Sequence, residues 1–295
     1  MANRPAAEVE VTPALVRRLL IEQHPDLADL PLSAGPHGWD NAIVRLGDDL
    51  AVRLPRREVA AVLVGHEQRW LPVLGPRLGV GVPAPVRVGV PSPAFPWAWS
   101  VVPWFAGRPA IALTPAARAT LAHPLADVVA RLHVVAPADA PANPVRGVPL
   151  AARDAAVHER IASGSVPEPG LVRRLWEELL EVPTWTGPPL WVHGDLHPAN
   201  LLVTADGTLQ AVLDFGDVTA GDPAVDLATA WLTFDEAGRR RFRDRVTRLC
   251  GTDGDTWRRA RGWALVLAVA LLAHSDDDPP FAALGAHALS QVLAD

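Results

Sequence analysis

Apolar and polar residues alternate along the first third of the chain with the two-residue period of β strands. Three such segments lie within residues 32–55, separated by turns at residues 35–38 and 47–49, and two more strands are predicted at residues 86–90 and 99–102. Because short turns join the first three segments, they predict neighbouring antiparallel strands. The first third of the chain is therefore expected to form a small antiparallel sheet.

The rest of the chain, with two segments that flank the strands, carries apolar residues at helical spacing. Helices are predicted at residues 13–24, 57–71, 115–135, 150–161, 171–180, 236–249, 256–274 and 281–293. The arginines of the helix at residues 236–249 are expected to face solvent, opposite Phe242, Val246 and Leu249. This order predicts an α+β fold, with a sheet-forming lobe at residues 1–103 and a helical lobe at residues 104–295.

The composition is that of a globular protein, with 49% hydrophobic and 20% charged residues among 295. The net charge of −6 argues against a nucleic acid partner, because a phosphate backbone calls for a basic surface. The single cysteine, Cys250, excludes an intramolecular disulfide. The N-terminal residues lack the apolar core of a signal peptide, and the longest apolar run, residues 263–273, is too short to span a membrane. A cytoplasmic protein without a membrane partner is expected.

The most informative stretch, residues 191–217, has the pattern of strand, loop, strand, tight turn and strand. Asp206-Gly207 predicts a two-residue hairpin turn, because both central residues of such a turn need a positive φ. That turn would place Asn200 beside Asp214 at the open end of the hairpin. Asp195 lies in the loop that leads into the hairpin.

These side chains suit phosphoryl transfer. Asn200 and Asp214 offer hard oxygens for a magnesium ion that bridges nucleotide phosphates, and Asp195 is placed to take a proton from an attacking hydroxyl. The spacing His-x-Asp-Leu-x-x-x-Asn from His193, followed by Asp-Phe-Gly, is also the catalytic-loop and metal-loop pattern of protein kinases. The alternative is an acidic loop beside a hairpin, with Asp195 as an ordinary turn residue.

The segment His-Gly-Asp-Leu-His-Pro-Ala-Asn at residues 193–200 resembles the aminoglycoside phosphotransferase family, as do Asp214 and Gly-Asp-Pro-Ala-Val-Asp-Leu-Ala at residues 221–228. The resemblance implies a bilobal protein-kinase-like fold, with a small antiparallel-sheet N-lobe and a mainly helical C-lobe. It also implies Mg²⁺-dependent transfer of the γ-phosphate of ATP or GTP to a hydroxyl of a small molecule, often an antibiotic. A protein kinase is disfavoured because no Ala-Pro-Glu segment follows Asp214.

The resemblance also assigns residues to the nucleotide. Arg53 stands where kinases place a phosphate-binding lysine, and Glu67 on the next helix is its expected partner. Gly38 lies in the loop expected to cover the phosphates, and backbone groups near Val102 and Trp104 are expected to hold the purine. The alternative for Arg53 and Glu67 is an exposed arginine on a strand and a solvated glutamate on a helix. The alternative for the loop that contains Gly38 is an ordinary hairpin turn. The apolar stripe of the helix is expected at Val59, Leu63, His66 and Trp70, with Glu67 at its edge.

His193 and Asp226 are expected to support the loop around Asp195 through hydrogen bonds. Asp154, Glu159 and Asp217 are acidic positions that could line an acceptor cleft, although such charges also occur on an ordinary solvated face. An aminoglycoside is the expected acceptor, so that O-phosphorylation would confer antibiotic resistance. Kinases for macrolides, peptide antibiotics or metabolic alcohols such as choline or homoserine share these motifs. A non-catalytic nucleotide-binding module is a more distant alternative.

Overall fold

A five-stranded antiparallel sheet forms from the first third of the chain in the computed structural model of the protein, which describes residues 6–37, 40–275 and 277–295. Across the sheet, the strands follow one another in the order Leu32–His37, Asn41–Leu46, Leu50–Pro55, Trp99–Pro103 and Arg87–Gly89. Leu46 pairs with Leu50 across the turn between the second and third strands, and Arg53 pairs with Ser100. The predicted antiparallel sheet is confirmed. The strands are β1 (Leu32–His37), β2 (Asn41–Leu46), β3 (Leu50–Pro55), β4 (Arg87–Gly89) and β5 (Trp99–Pro103).

Helix α1 (Pro13–Gln23) supplies the apolar cover for one face of this sheet. Its start is as predicted, because the Thr12 hydroxyl accepts a hydrogen bond from the Leu15 N–H at 3.2 Å and Pro13 occupies the first turn. The side chains packed together in this core come from the helix, from three strands and from the segment before β5. They are Val16, Leu19, Leu20, Val44, Leu46, Val52, Leu54, Phe95, Trp99 and Val101.

Helix α2 (Glu58–Leu78) corrects two expectations. It continues beyond the predicted end at residue 71, through Pro72 and Pro76, because the burial of leucines on its later turns outweighs the lost backbone hydrogen bonds. The predicted stripe from Val59 is wrong, since Val59 is 63% exposed. Apolar residues occur all round this helix, so their spacing does not select one face. The buried face is formed by Ala60, Val64, Glu67, Leu71, Leu74 and Leu78, with Glu67 in its middle.

Helices make up most of the remaining chain. The longest of them is buried over most of the stretch from Thr256 to Val269, and it packs against the last helix and four others. Within the described residues, no helix has both the length and the apolar character needed to cross a membrane. The helices are α3 (Pro115–Arg118), α4 (Ala122–Leu132), α5 (Asp154–Ala162), α6 (Pro169–Leu180), α7 (Ala224–Leu227), α8 (Thr229–Thr233), α9 (Glu236–Cys250), α10 (Gly254–His274) and α11 (Pro279–Leu293).

The two faces predicted for α9 are each wrong at one position. Arg239 is buried, at 4% exposure, whereas Leu249 is 46% exposed. Arg239 can be buried because Gln291 and Asp295, from the end of the chain, receive its guanidinium. Partners so distant in sequence leave no trace in the helical period of α9.

Five short strands accompany the helices: β6 (Arg108–Pro109), β7 (Leu190–Val192), β8 (Leu201–Val203), β9 (Leu209–Val212) and β10 (Thr219–Gly221). The hairpin between β8 and β9 exists, but its turn differs from the predicted two-residue turn. The Gly207 N–H donates to the Thr204 carbonyl at 3.1 Å, so Ala205 and Asp206 are the central residues. Gly207 follows with a φ of +85°. A three-residue loop with glycine at the left-handed position uses the same Asp-Gly pair, which explains the shift by one position.

The chain divides into two compact units. One, the sheet unit, holds the described residues up to Ala106 together with Val212–Gly216. The other, the helical unit, comprises Gly107–Ala211 and Asp217–Asp295. The segment Val212–Gly216 thus belongs to the sheet unit although it lies far along the chain.

The core of the sheet unit predicts the effect of one added methyl group. A Cβ atom on Gly89 would lie 2.0 Å from Cε2 of Trp99, whose indole is fully buried. The backbone carbonyl of Trp99 accepts a hydrogen bond from the Gln68 side chain, which holds this residue in place. Gly89→Ala is therefore expected to destabilise the protein by about 1–3 kcal/mol through overpacking. Thermal denaturation monitored by circular dichroism measures the effect.

Gly65→Ala is the matched control, because a Cβ atom there meets nothing within 4 Å. It sits in α2, where alanine is favoured over glycine by up to about 1 kcal/mol, so its Tm should be unchanged or higher. A Gly89→Ala variant as stable as Gly65→Ala would contradict this packing.

Candidate functional site

The loop at residues 193–200 joins β7 to β8 in the helical unit, and glycine fixes its first turn. Gly194 has a φ of +85°, and a Cβ atom there would lie 2.6 Å from the Asp217 carbonyl oxygen. Glycine alone tolerates this combination. The close approach follows from the pairing of β7 with β10, which places Val192 opposite Thr219.

Asp226 holds the 193–200 loop through its carboxylate. Oδ2 accepts a hydrogen bond from the His193 N–H, and Oδ1 accepts one from the Gly194 N–H, both at 2.8 Å. His133 Nε2 lies 3.1 Å from Oδ2. Asp226 is fully buried, so these donors replace the water that an ionised carboxylate would otherwise need. This contact joins residues far apart in the chain, so no local sequence pattern indicates it.

Asp195 lies between two cationic or proton-donating groups. His197 Nε2 is 3.2 Å from Oδ2, and Arg146 Nη2 donates to Oδ1 at 3.1 Å. His197 Nδ1 accepts from the Ala199 N–H at 3.3 Å, which assigns the ring proton to Nε2. Burial raises the pKa of Asp195, but attraction to His197, Arg146 and His193 outweighs it and holds the pKa well below its usual range. Asp195 therefore stays ionised at any pH near neutrality.

Asn200 is oriented by the same loop. Its Nδ2 donates to the Asp195 carbonyl at 2.9 Å, and its backbone N–H donates to the His197 carbonyl at 2.9 Å. Fixing the amide nitrogen in this way leaves Oδ1 as the atom that is suited to a hard cation. His193, the first residue of the loop, is buried, and its Nδ1 accepts a hydrogen bond from the Asp195 N–H at 3.2 Å.

The segment at residues 141–147, here called the strap, brings Arg146 to Asp195. Asn143 Oδ1 accepts from the Arg146 N–H at 3.1 Å, and Asn143 Nδ2 donates to Asp217 Oδ1 at 2.8 Å. Pro141 and Gly147 offer their carbonyls to the backbone of residues 220 and 222, so the strap is tied to β10 at both ends. The one local signal that this segment carries in the sequence is Asn-Pro at residues 143–144, a pair that favours a turn.

The three predicted acceptor carboxylates are placed differently from one another. Asp217 joins the Asp195 group, with Oδ2 3.8 Å from Arg146 Nε. Asp154 instead accepts from the Trp176 indole N–H at 2.7 Å and lies 3.0 Å from His158 Nδ1. Glu159 is exposed. The structure therefore brings one of the three to Asp195.

In the sheet unit, Arg53 gathers a second group of side chains. Its Nη1 donates to Glu67 Oε1 at 2.7 Å, and its Nη2 donates to Asp214 Oδ1 at 2.8 Å. With the Asn41 amide oriented to satisfy its neighbours, Asn41 Oδ1 accepts from Nη2 at 3.0 Å and from Nε at 3.2 Å. Arg53 is therefore neither exposed nor unpaired, and its planar fork serves three partners that a lysine could not align in the same way.

The pKa values of Arg53 and Glu67 are both shifted from their usual range. Burial raises the pKa of Glu67 to about 7, an effect that Arg53 opposes and Asp214 reinforces. Burial lowers the pKa of Arg53, but Glu67 and Asp214 outweigh it and raise the pKa overall. Asp214 adopts a φ of +59°, which non-glycine residues rarely do. A strained carboxylate held by a buried guanidinium is typical of a functional position.

The remaining nucleotide residues are only partly described. Val102 is buried in β5, and the Trp104 N–H donates to the Asp49 carbonyl at 2.7 Å. The Trp104 ring lies under the Arg45 guanidinium, 5.5 Å from centroid to Cζ. Gly38 lies outside the described residues. The purine and phosphate roles of these residues stay predictions.

The side-chain oxygens of Asn200 and Asp214 are chemically suited to bind magnesium. Each is a hard oxygen, and Asp214 is 56% exposed at its side chain, with Oδ1 tied to Arg53. That the two share one ion stays a prediction. Within the described residues, no three or more histidine, cysteine or acidic side chains gather as ligands for a metal.

Comparisons with known proteins agree with this fold. A sequence profile described as APH, phosphotransferase enzyme family, matches residues 32–263. A search of curated proteins gave no match.

Solved structures resemble the whole chain. The GDP and kanamycin complex of APH(2")-IIia has a TM-score of 0.69 at 21% identity, covering 95% of this chain and 98% of that one. Macrolide 2'-phosphotransferase MphH from Brachybacterium faecium has a TM-score of 0.62 at 25% identity, covering 93% and 97%. The streptomycin-ATP-APH(2")-IIa ternary complex has a TM-score of 0.59 at 16% identity, covering 92% and 93%.

These neighbours share a protein-kinase-like fold, so the predicted fold class is confirmed. The profile match extends over most of the chain, and the chain therefore belongs to the phosphotransferase enzyme family.

Proposed function

We propose that the protein transfers the γ-phosphate of ATP or GTP to a hydroxyl group of a small molecule. The observation that carries the proposal is Asp195, an ionised carboxylate held between His197 and Arg146 on a loop fixed by Asp226. Family membership supports phosphoryl transfer. Similar structures hold GDP or ATP, which supports a nucleotide as the phosphate donor.

Asp195 orients the acceptor hydroxyl in this proposal. Its low pKa makes it a weak base, but a loose transition state for phosphoryl transfer needs the hydroxyl proton to be removed only late. A fixed, ionised oxygen that accepts the hydroxyl hydrogen bond therefore provides positioning first and proton removal second. His193 and Asp226 keep the loop backbone in place for that purpose.

Asn200 and Asp214 are the residues that would hold Mg²⁺, which supplies positive charge to the nucleotide phosphates when bound. Arg53 is proposed to contact the same phosphates while Glu67 fixes its orientation. Val102 and Trp104 are proposed to receive the purine, and Gly38 to lie in the loop over the phosphates.

The proposed acceptor classes come from the structures that this chain resembles, and not from particular side chains of the site. Kanamycin, gentamicin and streptomycin are bound by structural neighbours, and another neighbour is a macrolide phosphotransferase. An aminoglycoside and a macrolide are accordingly the first two acceptor classes to be tested. Of the acidic positions predicted for the acceptor, only Asp217 lies in the Asp195 group.

Asp195→Asn removes the charge that orients the hydroxyl. Release of nucleoside diphosphate should fall by about 10²–10⁴-fold, while the rise in Tm caused by Mg²⁺ and nucleotide is retained. Asp206→Asn, at an exposed hairpin tip, is the control and should keep both properties. Wild-type turnover by Asp195→Asn would contradict its assignment.

Asp214→Asn weakens a predicted metal ligand. In the wild type, adding Mg²⁺ should increase the Tm shift produced by ATP or GTP, and this increase should be largely lost in the variant because an amide is a poorer magnesium ligand than a carboxylate. Asp48→Asn, whose side chain is 97% exposed in the same unit, should behave like the wild type. A full magnesium effect in Asp214→Asn would exclude Asp214 as a ligand.

Asp226→Asn replaces one acceptor oxygen by a donor facing a backbone N–H. The free energy of unfolding should fall by about 2–3 kcal/mol, because a buried donor loses its charged acceptor. Asp127→Asn, which breaks a surface pair with Arg245, should cost less than about 1 kcal/mol. Equal losses in chemical denaturation would show that Asp226 does not hold the loop.

A further inference from the structure

Three arginines of the helical unit lie close enough for their charges to repel one another, and one of them, Arg146, contacts Asp195. Arg146 comes from the strap, Arg153 ends the three-ten turn Leu150–Arg153, and Arg160 lies in α5. The turn runs directly into α5, so a spacing of two helical turns puts Arg153 and Arg160 on one face. The same face carries Val157, which is fully buried. Arg153 and Arg160 are half-buried, so part of each side chain reaches the protein surface.

The positive charges of this arginine cluster (Arg146, Arg153 and Arg160) are not fully compensated. Arg146 is paired with Asp195 and Asp217. Glu159 attracts Arg160, but neither Arg153 nor Arg160 forms an ion pair with any residue that the structure describes. Burial lowers the pKa of Arg153 and of Arg160. Repulsion from Arg160 and Arg146 lowers the pKa of Arg153 further, and repulsion from Arg146 does the same to the pKa of Arg160.

Two donors of the cluster also lack acceptors. Nε of Arg146 and Nε of Arg153 are buried, and within the described part of the chain neither donates a hydrogen bond. A buried donor without an acceptor destabilises the folded protein, and like charges held close together add to that cost. Oxygens of an anionic ligand would satisfy the donors and relieve the repulsion, because guanidinium forks match the geometry of carboxylate and phosphate groups.

We propose that Arg146, Arg153 and Arg160 form a subsite for an anionic group, a carboxylate or phosphate, carried by the hydroxyl acceptor. The inference rests on the proposed phosphotransfer and narrows its acceptor. Arg146 links the subsite to the chemistry, since it contacts Asp195 directly. An acceptor anchored here by its anion presents its hydroxyl to Asp195.

The subsite changes which acceptors are favoured. A polycationic aminoglycoside would bring its ammonium groups against unpaired guanidiniums, whereas a hydroxy acid or a sugar phosphate would be attracted. The expected acceptor is thus an anionic alcohol, in contrast to the aminoglycoside predicted by resemblance.

Binding of inorganic phosphate tests the subsite without any acceptor. Calorimetric titration would be run with a nucleoside diphosphate and Mg²⁺ present, so that the nucleotide phosphates are already in place, and at constant ionic strength. Arg153→Gln and Arg160→Gln are expected to bind phosphate at least about tenfold more weakly than the wild type, the loss of one charged hydrogen bond. Arg173→Gln, an exposed position on α6, removes the same charge and should leave phosphate binding unchanged.

Lysine variants show whether a loss of phosphate binding in the glutamine variants comes from misfolding. Arg153→Lys and Arg160→Lys keep the charge, so they should retain part of the phosphate affinity and a wild-type Tm. Equal phosphate affinity in the wild type, both glutamine variants and Arg173→Gln would overturn the subsite. A loss in the glutamine variants that the lysine variants partly restore would support it.

A second experiment shows whether the subsite binds an anionic group on the acceptor or only free phosphate. Alcohols bearing a carboxylate or phosphate would be compared with their neutral amides or esters and with kanamycin. Arg153→Gln should raise KM for the anionic alcohols with kcat retained, and should leave the neutral analogues unchanged. Preferred transfer to kanamycin, unaffected by Arg153→Gln, would overturn the inference while upholding phosphotransfer. Absence of magnesium-dependent nucleotide binding would instead refute the proposed function itself.

Discussion

The Asp226 carboxylate accepts two backbone hydrogen bonds from the 193–200 loop while fully buried, and the geometry of Asp195 depends on this interaction. An ionised carboxylate can be buried only where donors replace its water, and here two backbone N–H groups and His133 do so. The requirement is reciprocal, because the N–H groups of His193 and Gly194 need an acceptor as well. A single side chain from α7 thus sets the path of the loop from which Asp195 and Asn200 extend.

Electrostatics then assigns each carboxylate a different state. Burial raises the pKa of both Glu67 and Asp195. At Asp195, His197 and Arg146 outweigh burial and hold the pKa low, whereas at Glu67 the one nearby guanidinium is shared with Asp214 and the pKa stays raised. In the sheet unit, one arginine serves two carboxylates and an amide. In the helical unit, the arginines around Arg146 exceed the acids that pair with them, and this excess is the basis for the anionic subsite.

Much of the fold follows from local patterns, and much of the site does not. The strands β1 to β3 and the start of α1 were predictable because alternation, turns and capping residues are local signals. The buried face of α2 was not, because apolar residues surround that helix, and neither was the hairpin turn, because one Asp-Gly pair fits two loop lengths. Motif spacing singled out Asp195, Asn200, Asp214 and Asp226, but no local pattern indicated the contacts of Arg146 and His133. Their contacts with Asp195 and Asp226 join residues that lie far apart in the sequence.

Phosphoryl transfer itself is tested most directly by mass spectrometry of the acceptor. The full chain would be incubated with Mg²⁺ and ATP or GTP in the presence of anionic alcohols, macrolides and aminoglycosides, each in a separate reaction. We expect one acceptor class to gain a single phosphate, in amounts equal to the nucleoside diphosphate released. Nucleoside diphosphate formed at one constant rate in every reaction, with no acceptor gaining mass, would identify water as the only acceptor and refute phosphoryl transfer to a small molecule.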